Sequence, residues 1–362
     1  MKKQLHVLLG VLLLTTASWG DITVEQLNNY LKVSGAGLQL DMMQKHFAKN
    51  IQRRADMSQK KVNPEILKRV TEIATKPENS SKFTENILKL DVKDYQKMIT
   101  FHSSDFGKKN RLRITNMYQN EKKMVAEMQQ FAKTKLSPQR EKLIQLLVKA
   151  DRTVENSMKS RMVSIENMLK QMPKERRDEL RKQIDAQSAQ ARAQTQKVLE
   201  MSSAFIYKDF SDEEIEKLIT YYQTESGQKE IEMLSQSGLN YIKTVMPQVS
   251  EFLFKIKREK EVALSCTQMR TLSMSFKLFF LDNGVYPSTE EGTRALIKNP
   301  DSKKYYNYAT NPYLKEIPLD IWKSPFIYKY ENKKLELISY GADHKAGGER
   351  DNKDIYLSQC KK

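Results

Sequence analysis

The sequence predicts a multidomain fold in which an all-α region of two related helical units precedes a small α+β domain. Up to about residue 262 the chain is rich in Lys, Glu, Gln and Met at helical spacing. In contrast, 14 of the 31 aromatic residues and five of the ten prolines lie in the last hundred positions. Short β-type runs and turn signals also begin only there, which indicates a domain boundary.

The N-terminus has the pattern of a signal peptide at residues 1–20. A basic pair at 2–3, an apolar run at 7–14 and small residues at 18 and 20 precede a cut before Asp21. The apolar run is shorter than the ~20 residues that a bilayer span needs. We therefore expect a periplasmic or secreted chain with no transmembrane span after cleavage.

The chain is basic, with a formal charge of +17. Such a charge favours anionic partners but does not choose among lipid, envelope polymer and nucleic acid. The basic residues are scattered along helices beside acidic ones, which is typical of a solvated helical surface.

Cys266 and Cys360 are the two cysteines of the sequence. In an oxidising compartment such a pair is more often bridged than free, so we predict a disulfide; two free buried thiols are the alternative. Closing a loop of this length would stabilise the fold by about 4–5 kcal/mol in the chain-entropy model.

The helical region contains a repeat at an offset of 120 residues. Leu90–Lys109 and Phe210–Lys229 share five residues at matching positions. Ser211 with Glu214 predicts a capping box. The shared residues are Lys97/Lys217, Ile99/Ile219, Thr100/Thr220, Gly107/Gly227 and Lys109/Lys229.

The two glycines of the repeat, Gly107 and Gly227, are expected to end their helices in a positive-φ conformation. Ser137-Pro138 predicts a helix start, and Met172-Pro173 a break. The pattern predicts helical unit 1 at 21–136, helical unit 2 at 137–255 and a last domain at 256–362. The repeated pattern of the helical region resembles an all-α domain-of-unknown-function family of exported bacterial proteins, a resemblance that implies no activity.

Three blocks of the last hundred residues occur in an order that suggests a known family. They read FKLFFLDNGVYPSTEEGTRAL, PYLKEIPLDIWKSPFIYKY and SYGADHKAGGERDNKDI. Together they resemble the soluble domain of the G-type (major) pseudopilin of type II secretion. We expect Ser288 and Glu291 to cap a short helix, and Phe326–Tyr330 and Leu335–Ser339 to form a hairpin joined by Glu331–Lys334.

The loop Ser339–Ile355 is the candidate site. It follows a strand and lacks the Lys-[ST] ending of a phosphate loop, and nothing near it supplies a catalytic nucleophile. Clustered aspartates with glycine turns suit a hard cation. The resemblance implies calcium at Asp343 and Asp354 with the Tyr340 carbonyl, and position alone adds Asp351.

Three departures from the family pattern bear on this site: His344 stands for a Gly, Ile321 for a Pro, and Lys353 precedes an aspartate. A loop retained without metal is therefore the alternative to a calcium site. The histidines at 46, 102 and 344 are not spaced for zinc, and we predict that the chain is not an enzyme.

The segment Glu230–Phe254 occupies the place of the pseudopilin membrane anchor. It carries four charges, and Pro247 is expected to interrupt it. The chain should therefore not polymerise as a major pseudopilin does. We predict a non-enzymatic envelope protein, linked to type II secretion by resemblance, whose partners are other envelope or secretion proteins. The alternative is a basic helical module for anionic envelope polymers or nucleic acid.

Overall fold

The computed structural model describes residues 21–119, 121–170, 172 and 174–360. The predicted signal peptide at 1–20 lies outside these residues. The chain divides into two compact units, Met1–Ser250 and Glu251–Lys362. An all-α region thus precedes a small α+β domain, which confirms the predicted fold class. In the described ranges, no helix combines the length and the apolar character that a membrane span requires.

Thirteen α-helices and three strands lie in the described residues, and the strands form one sheet in the second unit. Their bounds are α1 Val24–Ser34, α2 Ala36–Met57, α3 Pro64–Ala74, α4 Pro77–Leu88, α5 Val92–Ser103, α6 Asp105–Gln119, α7 Glu121–Phe131, α8 Pro138–Ala150, α9 Thr153–Leu169, α10 Lys174–Ala186, α11 Ser188–Ile206, α12 Asp212–Gln223, α13 Glu225–Asn283, β1 Ile327–Glu331, β2 Lys334–Ser339 and β3 Ile355–Tyr356.

Local side-chain bonds start the helices where the sequence predicted them. Ser211 and Glu214 make the reciprocal capping box of α12, and Ser137 caps α8, whose first residue is the proline. Each cap satisfies a backbone amide that has no partner inside the helix. A break was predicted at Met172-Pro173; α9 ends at Leu169 and α10 begins at Lys174, and Pro173 itself lies outside the described residues.

The two segments of the repeat have the same helix bounds at the offset of 120. Helices α5 and α12 both have 12 residues and end at Ser103 and Gln223, with Ser104 and Thr224 as their C-cap residues. The prediction that Gly107 and Gly227 end these helices is wrong, because both lie inside the following helix without positive φ. A Cβ there would lie 2.2 Å and 2.1 Å, respectively, from the carbonyl oxygen six residues earlier. The glycines permit close packing of successive helices.

Ion pairs between the two segments are reciprocal. Lys109 Nζ pairs with Glu214 Oε1 at 2.5 Å, and Lys229 Nζ pairs with Asp94 Oδ2 at 2.8 Å. The two lysines lie 120 positions apart, and so do the two acids. Such reciprocity is the pattern of a two-fold interface, here between two stretches of one chain.

The expectation that Pro247 interrupts its helix is wrong, because α13 runs through it. Proline removes one backbone hydrogen bond and costs about 3 kcal/mol in a helix interior. Here the neighbouring side chains Tyr241, Val245 and Val249 are buried, and the Tyr241 hydroxyl donates to the Ala74 carbonyl at 2.9 Å. This tertiary packing holds the helix despite the missing bond.

The second unit packs a three-stranded antiparallel sheet, in the order β1-β2-β3, with the C-terminal part of α13. Its core includes Phe276 and Phe279 of α13 and Leu337 of β2. The predicted hairpin is present, and its connection is Asn332-Lys333 with φ of 52° and 60°. Two consecutive residues of positive φ match the twist of antiparallel strands. Cys266 and Cys360 form the predicted disulfide, with a Cα–Cα distance of 5.6 Å.

Candidate functional site

The loop from Tyr340 to Asp354 is closed at its base by the sheet, because Ser339 of β2 pairs with Ile355 of β3. Two short 3-10 helices, Gly341–Asp343 and Arg350–Asn352, pack against each other inside it. The four predicted calcium ligands therefore lie on or beside two neighbouring turns. These are Tyr340, Asp343, Asp351 and Asp354.

Glycine makes this folding possible at two positions. Gly341 and Gly348 have φ of +67° and +87°. A Cβ on either would lie 2.7 Å from the Asn352 carbonyl oxygen. Larger residues at these positions would push the two turns apart.

Asp354 is the most buried of the four candidates, with 7% of its surface exposed. Its Oδ2 accepts hydrogen bonds from the Gly347 amide at 2.9 Å and from the Tyr356 hydroxyl at 3.1 Å. Its Oδ1 is buried without a hydrogen-bond partner. A buried carboxylate oxygen left unpaired is costly, and a bound cation would remove that cost.

Asp351 has the same feature on a half-buried side chain. Its Oδ2 pairs with Lys257 Nζ of α13 at 2.8 Å, a bond that raises the pKa of the lysine. Its Oδ1 is buried and unpaired. Asp343 instead uses its Oδ1 to accept from the Lys345 amide at 3.2 Å.

The described residues contain no group of three or more His, Cys, Asp and Glu side chains placed to hold a metal ion. An ion in this loop would therefore depend on two carboxylates together with backbone carbonyls. Calcium accepts such mixed oxygen ligands in a flexible geometry. The orphaned oxygens of Asp351 and Asp354 fit that requirement.

Two of the three departures from the family pattern, His344 and Ile321, have local explanations. His344 adopts φ of +60°, the conformation that glycine favours, and its Nδ1 contacts the Ser324 hydroxyl. The turn around Ile321 is held by Asp320, which accepts from the Trp322 and Ser324 amides at 3.0 Å and 2.8 Å.

The start of α13 within the second unit holds the loop, a role that sequence reasoning missed. The Arg258 guanidinium donates to the Lys353 carbonyl, and Arg350 pairs with Glu251 at 3.2 Å and lies over the Phe254 ring. These partners are about 95 residues apart in sequence, so no local pattern marks them.

A buried carboxylate in the first unit was also missed. Glu230 is 3% exposed, and its two oxygens contact the Tyr30 hydroxyl at 2.6 Å, His102 Nε2 at 2.8 Å and the Tyr221 hydroxyl at 2.5 Å. Burial acts to raise the pKa of this carboxyl, but the bonds from His102 and the tyrosines outweigh it and hold the pKa below its ordinary value. Phe101 stacks on Tyr221, 120 positions away, with ring centroids 3.5 Å apart. The cluster joins four helices and has the character of a structural centre.

The basic side chains of the first unit are in several cases paired with carboxylates. Examples are Arg181 with Glu166 at 2.6 Å and Arg192 with Glu155 at 2.5 Å. Exposed pairs of this kind contribute little stability, but they neutralise the surface locally. The described part of the chain offers no observation that favours anionic polymers as partners.

The fold of the second unit, a long helix packed with a small antiparallel sheet and an Asp-rich closing loop, is that of a pseudopilin-like head. Comparisons with known proteins agree. Residues 253–358 match the family model of the type II secretion system protein G. The chain therefore belongs to this family through its C-terminal region.

Two relatives show the extent of the match. The type II secretion system core protein G of Pseudomonas aeruginosa is 33% identical over 100 residues, covering 27% of this chain and 70% of the relative. The Vibrio cholerae core protein G is 31% identical over 101 residues, covering 27% and 69%. The crystal structure of the major pseudopilin of enterohaemorrhagic Escherichia coli aligns with 25% identity, 29% and 91% coverage and a TM-score of 0.26.

Proposed function

We propose that this chain is a non-enzymatic, periplasmic component of type II secretion that acts through protein–protein contacts, with a head stabilised by calcium. Membership of the protein G family supports the link to secretion. The observation that carries the calcium part is that Asp354 and Asp351, in the same loop, each have a buried Oδ1 with no hydrogen-bond partner.

In this proposal Asp354 and Asp351 supply the two carboxylates, and backbone carbonyls such as that of Tyr340 complete the ligand set, while the Asp343 carboxylate stays bonded to the Lys345 amide. A bound calcium ion would add positive charge between turns whose carboxylates otherwise repel one another. It would fix the two turns of the loop without taking part in any reaction. The head would then present a stiff surface to another secretion protein.

A thermal melt of the full chain tests the calcium site. Because the sequence has two tryptophans, Trp19 and Trp322, a Trp19→Phe background leaves a fluorescence signal from the head alone. Extracellular calcium modules bind with Kd of ~10⁻⁴–10⁻³ M. About 5 mM calcium should then stabilise the head by about 1–2 kcal/mol relative to chelator.

Asp354→Asn should abolish this calcium response, whereas the matched change Glu316→Gln, at an exposed position of the head, should leave it intact. Equal melting midpoints with calcium and with chelator in the parent chain would refute the calcium site. An equal response in Asp354→Asn would refute its assignment to this loop.

The secretion role needs a separate test in the bacterium that encodes the chain. Deleting residues 251–362 should lower the amount of type II substrates released into the medium, and the full chain carrying Glu316→Gln should restore it. Unchanged release after the deletion would contradict a role in secretion, whatever the result of the calcium experiment.

A further inference from the structure

The C-terminal part of α13 carries a continuous apolar stripe on its outer face. Leu264, Met274, Leu278 and Leu281 are 49%, 64%, 53% and 74% exposed. The core of the second unit lies on the other side of the helix, where Met269, Leu272, Phe276 and Phe279 are fully buried. The stripe is thus not needed to fold its own unit. It consists of Leu264, Thr267, Thr271, Met274, Leu278 and Leu281.

Successive positions of the stripe are separated by 3, 4, 3, 4 and 3 residues. This is the heptad spacing of a coiled-coil seam, with residues 264, 271 and 278 at position a and residues 267, 274 and 281 at position d. An isolated exposed leucine needs no explanation, but a contiguous apolar stripe marks an interaction surface.

The two threonines do not interrupt the apolar character of the stripe. The Thr267 hydroxyl donates to the Ala263 carbonyl at 2.9 Å, and the Thr271 hydroxyl donates to the Thr267 carbonyl at 3.2 Å. Because the hydroxyls are satisfied by their own helix, the methyl groups remain available to a partner.

We propose that this stripe pairs with the same stripe of a second copy of the chain, in a parallel two-helix contact. The charged residues beside the stripe are the reason for choosing a second copy as the partner. Lys277 is at position g and Asp282 at position e, five residues later. In a parallel pair each g residue faces the e residue of the next heptad of the partner, so Lys277 of each copy meets Asp282 of the other.

The antiparallel alternative brings like charges together. There position g of one helix faces position g of the other, and Arg270 would lie against Lys277 in both halves of the contact. Like-charge juxtaposition disfavours that arrangement. The charges therefore select the parallel pair and make the stripe self-complementary.

The helix is already folded within its own unit, so pairing would not incur an entropy cost for ordering the backbone. A contact of about three heptads is nevertheless short, and we place the dimer at the weak end of specific interfaces. Sedimentation velocity of the full chain from ~1 to ~100 µM brackets the Kd range of such contacts.

Leu278→Glu should weaken the dimer at least ~10-fold, because it places two carboxylates in the seam. The matched control is Val198→Glu, a change at a 60% exposed valine on α11, which should leave association unchanged. A chain that stays monomeric over the whole concentration range overturns the proposal; the stripe would then serve a partner other than a second copy. Dimers unaffected by Leu278→Glu overturn it as well.

A charge exchange tests the orientation. Lys277→Glu and Asp282→Lys should each weaken the dimer by ~2- to 10-fold, and the double exchange should restore it. Asp282 also accepts a hydrogen bond from the Tyr313 hydroxyl at 2.8 Å, so the melting midpoint of each variant is measured alongside. Failure of the double exchange to restore association, with folding intact, overturns the parallel arrangement.

Discussion

Replacing Gly227 by alanine tests the close packing of successive helices in the repeat. The new Cβ would lie 2.1 Å from the Tyr221 carbonyl oxygen, whereas real Cβ contacts do not fall below 3.0 Å. One of the two helices must therefore move by about 0.9 Å. That movement displaces Tyr221 from Glu230 and from the Phe101 ring.

Overpacking of this kind costs about 1–3 kcal/mol, and lost bonds to a buried carboxylate add to it. The gain in helix propensity from Gly to Ala returns only about 1 kcal/mol. We expect Gly227→Ala to lower the free energy of unfolding by about 2–3 kcal/mol. Gly107→Ala should behave in the same way, since its Cβ would lie 2.2 Å from the Phe101 carbonyl oxygen.

Gly238→Ala is the matched control on the same helix. Its nearest neighbour would be Met43 Cε at 3.5 Å, an ordinary contact, so the change should stabilise the fold by up to about 1 kcal/mol. Urea unfolding followed by far-UV circular dichroism measures both variants. If Gly227→Ala unfolds at or above the urea midpoint of Gly238→Ala, the steric reasoning is refuted.

Two further predictions concern pH and redox state. Burial raises the pKa of the Asp151 carboxyl to about 6, although the Thr153 amide bonds it. The folded state then holds a proton that the unfolded state has lost, so the free energy of unfolding should fall by up to about 2–3 kcal/mol as pH rises from about 4 to 6. In Asp151→Asn this fall should be absent from the plot of stability against pH. An unchanged slope in that variant would contradict the assignment to Asp151. Replacing Cys266 and Cys360 together by serine should cost the head about 4–5 kcal/mol in the chain-entropy model. Trp322 fluorescence during urea unfolding of the Trp19→Phe chain measures this cost. Reductant should lower the urea midpoint of the parent chain but not that of the double variant.

Features fixed by neighbouring residues could be predicted from the sequence. The caps at Ser137 and Ser211 each depend on a side chain and an amide three positions away. The hairpin depends on alternating residues around a two-residue turn. The composition change near residue 262 likewise indicated two kinds of fold.

Features that depend on residues far apart in the sequence could not be predicted from it. Glu230 was interpreted only as a charge that keeps its segment out of a bilayer, yet it lies buried against Tyr30, which is 200 positions away. Pro247 was expected to break a helix because local propensity omits the packing that holds it. The four predicted ligands share one loop, as their nearness in sequence implies, but the pairing of Asp351 with Lys257 spans 94 positions and has no local signal.

The reciprocal contacts of the first unit also permit an asymmetry that a pair of identical chains could not have. Glu230 lies 120 positions after Asn110, which is also buried, at 5% exposed. In a homodimer both positions would hold the same residue, and a buried carboxylate would occur twice. Because both stretches belong to one polypeptide, one half supplies the acid, the other supplies His102, and the ratio of the two halves is fixed at every protein concentration.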